Sequence, residues 1–415
     1  SILYYFWIRA FGDSEVSMRI PALAFGLSGV VLMYLVGSAV FGDDIGFPAA
    51  LATVFSIAYI TYSTEAVHAI FELPILMASL LCLYKFIMTR KRRMFAGLLL
   101  LNAAGVFIFY HYLAYLMIQT AVLWLYRKRL GIRGYYFTAV ALLVAVFCWY
   151  AASSFSEGHF SYGFWLRHDL KTIIKVIGTL PYRGIGVVSV PARYAGIFFF
   201  RHFFAFFSLS FLLLFLAGYA RILFLFRRIR DPRNLLKLVL AAVFAVPFVF
   251  YLATGALGLK FGHPRNFFYL LPVYFLIMFY GLRWLIAQKK AFYFFSTAAV
   301  LFFLISGAVY ATHYWSGAYE QRRMIEYGAK LDADYVFIPT TRIEPWVFQY
   351  YTKKYNCQEK VHRLYTTGDS ELIRREDAEL DYREQFKKVP PGKRIAVVET
   401  KDGKVLTRFV PHKSN

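Results

Sequence analysis

Long apolar runs fill the first three quarters of this chain, and short lysine and arginine clusters occupy only every second gap between them. The clusters are Arg90-Lys91-Arg92-Arg93, Arg127-Lys128-Arg129 with Arg133, Arg227-Arg228 through Lys237, and Lys289-Lys290. The gaps between carry Ser63, Glu65 and His68; His111; the long stretch 153–195; His263 and Arg265; and finally the C-terminus. Runs near 20 residues without charge cross a bilayer, and lysine and arginine in short loops stay on its cytoplasmic side. The alternation therefore sets a topology with basic loops inside and every chemically versatile side chain outside.

Composition agrees. Of the 415 residues 59% are hydrophobic and 20% aromatic, with a mean hydropathy of +0.50, more apolar surface than a soluble globule of this size can hide. The net charge of +23 does not point to nucleic acid. Residues 314–415 hold 19 of the 47 Lys/Arg and 15 of the 24 Asp/Glu, so the surplus lies in the membrane part, where the topogenic clusters supply much of it. Anionic lipid headgroups are its natural counter-charge. The three cysteines, Cys82, Cys148 and Cys357, give no disulfide framework.

Ten spans are expected: about 19–41, 47–63, 69–89, 94–110, 112–126, 135–152, 196–226, 238–256, 267–287 and 291–313. The fourth and fifth are short, but fusing them would put Arg90–Arg93 and Arg127–Arg129 on opposite faces, so they are read as two. Residues 1–12 suit an interfacial helix, and Trp165–Ile177, with Lys171 and Lys175 opposite its apolar face, suits an amphipathic helix on the membrane. From residue 314 the composition becomes soluble. Helices at Gln321–Leu331, Trp346–Lys354 and Asp377–Lys387 alternate with strands at Tyr335–Ile338, Arg363–Tyr365 and Ile395–Glu399. That alternation implies a small α/β unit with a parallel or mixed sheet. The fold class is thus mainly α, a polytopic membrane domain over 1–313 followed by an α/β accessory domain over 314–415 on the extracytoplasmic side.

Candidate reactive groups gather in the outer gaps. On a helix starting at Glu65, the side chains of Glu65, His68 and Glu72 share one face at i, i+3 and i+7. Carboxylates at membrane depth are costly unless they face a polar cavity. Against that stands the simpler reading of Glu65 as a helix N-terminal charge and His68 as an interface residue. The same trio has ligand chemistry for a divalent metal, but its spacing follows no fixed metal pattern. His111, between Tyr110 and Tyr112, is either an amphipathic anchor or a ligand-binding group. Arg265, in Gly262-His263-Pro264-Arg265-Asn266, suits a phosphate or pyrophosphate, and equally a lipid headgroup.

In order along the chain stand Tyr4-Tyr5, Phe11-Gly12-Asp13-Ser14-Glu15, Arg19-Ile20-Pro21-Ala22-Leu23, Phe41-Gly42 and Tyr62-Ser63-Thr64-Glu65-Ala66, with His111 and Pro264-Arg265 later. This series resembles the bacterial polytopic glycosyltransferases of the GT-C superfamily. More narrowly it is similar to glycosyltransferase family 39 and its neighbour family 83, the protein-mannosyltransferase and aminoarabinose-transferase relatives. The resemblance is good over 1–126, fair near 263–272 and loose elsewhere. It implies an inverting transfer of a sugar from a polyprenyl-phosphate donor to a lipid, glycan or protein acceptor at the outer face of the plasma membrane.

By the same resemblance Glu65 is the second acidic position and Arg265 the phosphate contact. His111 matches the family's histidine at its outer turn, and His68 and Glu72 stand beside Glu65. The family's principal base sits in a first outer loop that would precede Ser1, together with a first span, so the chain is expected to lack both. Val67 stands where the family has arginine and Asn266 where it has tyrosine. Two other functions compete: a flippase or transporter of lipid-linked sugars, and a non-catalytic membrane scaffold. A transporter would carry internal repeats and mid-span charges, which the sequence lacks.

Overall fold

The computed structural model describes residues 2–12, 15–64, 69–108, 112–132, 198–225, 231–256, 269–339, 355–364, 393–401 and 404–410, with scattered positions between 134 and 144, at 177, 352, 389 and 390. Contacts divide the chain into two units, Ser1–Ala308 and Val309–Asn415. The expected helices at 135–152, Trp165–Ile177, Trp346–Lys354 and Asp377–Lys387 fall largely outside the described residues.

The first unit is helical. A short helix α1, Ile2–Phe11, precedes α2, Glu15–Phe41. Pro21 lies inside α2 and has no N–H to give the Ser17 carbonyl. Trp7 Nε1 on α1 supplies that bond at 2.8 Å, so the interfacial helix docks on the acceptor that proline frees.

The expected span at 47–63 is instead two helices, α3 Asp43–Phe55 and α4 Ile57–Thr64. Ser56 makes the break. Its backbone is extended (ψ 141), its Oγ donates to the Thr53 carbonyl at 2.8 Å, and the Tyr59 N–H donates back to that Oγ at 3.3 Å. A serine hydroxyl that ends one helix and caps the next competes with the helical ladder. The pair nevertheless runs antiparallel along α2 in continuous register: Gly46 sits at Gly37, Thr53 Oγ1 contacts Met33 Sδ at 3.0 Å, and Tyr59 and Ser63 reach Gly29 and Gly26. The turn between α2 and α3 needs Gly42, whose φ of 105° is disfavoured for L side chains.

Four further helices follow: α5 Ala69–Thr89, α6 Arg92–Ile108, α7 Tyr112–Leu125 and the single turn α8 Arg127–Leu130. The separation of α6 from α7 supports two spans over 94–126. Next come α9 Phe198–Phe224, α10 Pro232–Ala256, α11 Leu271–Leu285 and α12 Lys289–Lys330. Among the described residues four segments are long and apolar enough to cross a membrane: Arg19–Phe41, Ile70–Thr89, Pro232–Val249 and Lys289–Ala308. The helices α7 and α11 are shorter, and α11 is covered by protein: Leu271 through Phe279 are all buried. It crosses α9 where Gly218 faces Gly281, each so near the other's backbone that a Cβ would collide with a carbonyl oxygen. Phe215 stacks on Tyr274 at 4.8 Å to continue the contact, and Phe211 stacks on Phe303 of α12 at 5.2 Å.

The second unit carries a four-stranded sheet in the order β2-β1-β3-β4. Strands β1 Tyr335–Pro339, β2 Val361–Leu364 and β3 Ile395–Lys401 are parallel, and β4 Lys404–Val410 is antiparallel to β3. The last turns of α12 lie on the sheet, Met324 and Ile325 packing with Val336, Ile338, Val361 and Val398. Lys360 Nζ donates to the Ala329 carbonyl at 3.2 Å and to that of Leu331, closing orphan carbonyls at the helix end.

Candidate active site

The bundle has one basic end. Asp44 and Arg283 pair at 3.4 Å, Arg283 lies over the Phe292 ring beside Lys289-Lys290, and Lys237 lies 5.5 Å from Phe41 and 5.0 Å from Tyr280. Tyr126, next to Arg127–Arg129, is within electrostatic reach of Arg129 and Asp231. Rings tie in the first cluster: Phe86 to Phe95 at 4.9 Å, Phe95 to Tyr136 at 5.4 Å and Trp124 to Phe137 at 4.8 Å. The helix ends adjoining the four clusters thus meet at a single face.

Helix length places Glu72 far from that face. It occupies the first turn of α5, 17 residues before Thr89, or about 25 Å along the axis. Its neighbourhood is tightly packed. Gly26 and Gly29 on α2 let α4 and α5 approach closely. A Cβ at Gly26 would stand 3.1 Å from the Ser63 Cβ, and one at Gly29 would stand 2.9 Å from Leu73 and 3.2 Å from the Tyr59 hydroxyl. That hydroxyl donates to the Gly26 carbonyl. Phe71 sets its ring edge-on to Phe25 at 4.5 Å. Glu72 itself is only 7% exposed, so this intramembrane acid faces protein rather than lipid.

Of the five site residues expected from sequence, Glu72 alone lies among the described residues. Glu65 and His68 fall between α4 and α5, His111 just before α7, and Arg265 before α11, all outside them. Their described neighbours in the chain are Thr64, Ala69, Tyr112 and Tyr269, each at a helix end remote from the basic clusters. Tyr112 and Tyr269 are buried there. Among the described residues no group of three histidine, cysteine, aspartate or glutamate side chains is arranged to hold a metal ion.

Sequence reading passed over a polar core between α5, α6 and α7. The Tyr112 hydroxyl donates to Asn102 Oδ1 at 2.9 Å, and the Tyr112 and Tyr115 rings meet edge to face at 5.1 Å. Gln119, fully buried, finds no partner for either amide atom among the described residues, while the Tyr115 hydroxyl lies by Ser79 and that of Tyr136 by Thr120. The signal was present: Asn102 and Gln119 are lone amides inside apolar runs, where polar groups carry a cost.

Residues 3–151 match the family model of dolichyl-phosphate-mannose-protein mannosyltransferase. No curated protein matches the chain. Two solved structures resemble it: ArnT from Cupriavidus metallidurans in the apo state, at 12% identity and a TM-score of 0.43 over 95% of this chain and 80% of that one, and the same protein bound to undecaprenyl phosphate, at 11%, 0.43, 95% and 81%. The matched stretch runs from α1 past α8 and contains the series from Tyr4-Tyr5 to His111, but not Pro264-Arg265. The chain is a multi-pass membrane protein whose residues 3–151 are similar to the dolichyl-phosphate-mannose-protein mannosyltransferases.

Proposed function

We propose that this chain transfers a sugar, with inversion, from a polyprenyl-phosphate-linked donor to an acceptor at the extracytoplasmic end of its helical bundle in the plasma membrane. The observation that carries the reading is the family match over residues 3–151, whose description names a polyprenyl-phosphate sugar as donor and whose span includes Tyr62–Ala66 and His111. The burial of Glu72 at the end of α5 away from the basic clusters supports the same location.

In this scheme the acceptor hydroxyl oxygen attacks the anomeric carbon as the bond from that carbon to the phosphate oxygen breaks. The hydroxyl proton passes to a carboxylate, and the leaving phosphate needs a cation. Arg265 is the phosphate contact, Glu65 the second acidic position, and His68, His111 and Glu72 line the site. Residues 314–415 form an extracytoplasmic accessory domain.

The test is sugar transfer in native membranes from a radiolabelled polyprenyl-phosphate donor. Glu65→Gln and Arg265→Ala are each expected to lower turnover by about 100-fold or more. Unchanged turnover in both would remove the site assignment. Movement of the intact donor across the bilayer without transfer would favour the transporter reading.

A further inference from the structure

At the basic end, remote from the proposed catalytic end, lies a groove of about 290 Å³ lined by Trp124, Arg127, Lys128, Ile132, Gly134 and Phe137. That is room for roughly ten waters. Its wall is built rather than incidental. The chain ends α7 at Leu125, makes one turn, and reverses at Gly131, whose φ of 65° suits glycine. The reversal returns Phe137 to Trp124, where the rings meet edge to face at 4.8 Å. Over the Trp124 ring the Arg127 guanidinium lies 4.0 Å from the centroid, and its Nη1 donates to the Trp124 carbonyl at 3.2 Å. A guanidinium held this way loses little further freedom on binding an anion and keeps donors to spare.

Charge and surface chemistry then select the ligand. Neither Arg127 nor Lys128 makes an ion pair with a carboxylate among the described residues, in contrast to Arg283 and Arg394. Two unneutralised cations therefore stand against an aromatic wall at the end of a membrane helix. Above the groove, Met117, Ala121, Trp124 and Leu125 form an exposed stripe along α7 at i, i+4, i+7 and i+8. A phosphate with an apolar chain attached fits both features, whereas a free anion uses only the first. Basic pockets at the ends of membrane helices take acidic lipid headgroups by this combination.

We infer that the groove lined by Trp124, Arg127, Lys128 and Phe137 binds the phosphate of an anionic phospholipid, with an acyl chain laid along the Met117–Leu125 face of α7. The inference is independent of the proposed transferase site, which lies at the other end of the bundle.

Native mass spectrometry of the detergent-purified protein, titrated with phosphatidylglycerol and separately with inorganic phosphate, tests it. The double variant Arg127→Gln/Lys128→Gln is expected to weaken phosphatidylglycerol binding by about tenfold or more. The control Arg90→Gln/Arg92→Gln removes equal charge from an exposed cluster and is expected to change it by less than about twofold. Met117→Gln, on the stripe alone, is expected to weaken the lipid too. Equal losses in both double variants would reduce the effect to net charge and overturn the site. An unchanged affinity in the Arg127/Lys128 variant would also overturn it. Inorganic phosphate binding as tightly as the lipid, with Met117→Gln silent, would make the ligand a free anion and overturn the lipid assignment.

Discussion

Asp44 Oδ2 lies 3.4 Å from Arg283 Nε, joining the first turn of α3 to the last turn of α11. An acid at the basic end is thus the partner of a cation on the same face. Both side chains are about a third exposed, 30% and 32%, so solvent screens the pair and its contribution is about 0–1 kcal/mol. Asp44→Asn and Arg283→Gln should each lower the thermal midpoint slightly, and the double variant no more than the larger single. Fully additive losses in a melting series would deny the coupling.

Glycines at helix crossings should separate sharply by what surrounds them. A Cβ at Gly281 meets the Leu214 carbonyl, which is backbone and cannot turn aside, so Gly281→Ala should destabilise the bundle by about 3 kcal/mol or more. A Cβ at Gly97 meets only Cys82 Sγ at 3.5 Å, an ordinary contact, and Gly97→Ala should be neutral or stabilising by up to about 1 kcal/mol. Thermal unfolding in detergent reads both. Equal effects would mean that the α9–α11 crossing is looser than described.

The polar core makes opposite predictions for two neighbours. Removing the unpartnered amide with Gln119→Leu should be neutral or stabilising by about 1–2 kcal/mol, because nothing else loses a hydrogen bond. Tyr112→Phe strands Asn102 Oδ1 and should cost about 1–2 kcal/mol. A large loss of stability in Gln119→Leu would point to ordered water on that amide.

Much of the bundle was legible because two strong signals coincide in it. Apolar length located α2, α5, α9, α10 and the first half of α12, and the lysine and arginine clusters assigned their ends to one face. The break at Ser56 was hidden, since Phe55-Ser56-Ile57 reads as apolar helix and the serine acts only through its hydroxyl bonds to Thr53 and Tyr59. Strand β4 was missed although Asp402-Gly403, a strong two-residue hairpin signal, stands between Lys401 and Lys404, which are partners in the register. At the candidate site, the order of turns carried the resemblance, while Glu65, His68, His111 and Arg265 lie outside the described residues. The docking of Trp7 on the Ser17 carbonyl needed coordinates, because Pro21 announces a freed acceptor without naming its donor.

Acid should act on the second unit through two aspartates. Arg394 donates two bonds of 2.7 Å to Asp332, and its backbone N–H donates to Asp334 at 2.8 Å, holding both carboxyls below the ordinary aspartate value. A depressed carboxyl stabilises the fold above the unfolded value of about 3.9, and that contribution is lost as pH falls through the folded value. Protection of β1 and β3 amides, corrected for intrinsic exchange, should not vary with these groups between about pH 5 and 8 and should fall below about pH 4. Asp332→Asn should blunt that fall. A loss of protection centred near pH 6 would implicate histidine instead.

The proposed polarity of the bundle, basic at one end and reactive at the other, is tested most directly by sidedness labelling. Cysteines introduced singly as Lys91→Cys, Lys128→Cys, Glu65→Cys and Arg265→Cys, in a background without the native thiols, would be exposed to a membrane-impermeant maleimide from each side of sealed vesicles. Positions 91 and 128 should react from one side only, and positions 65 and 265 from the other. Reaction of positions 65 and 265 from opposite sides would contradict a shared transferase site.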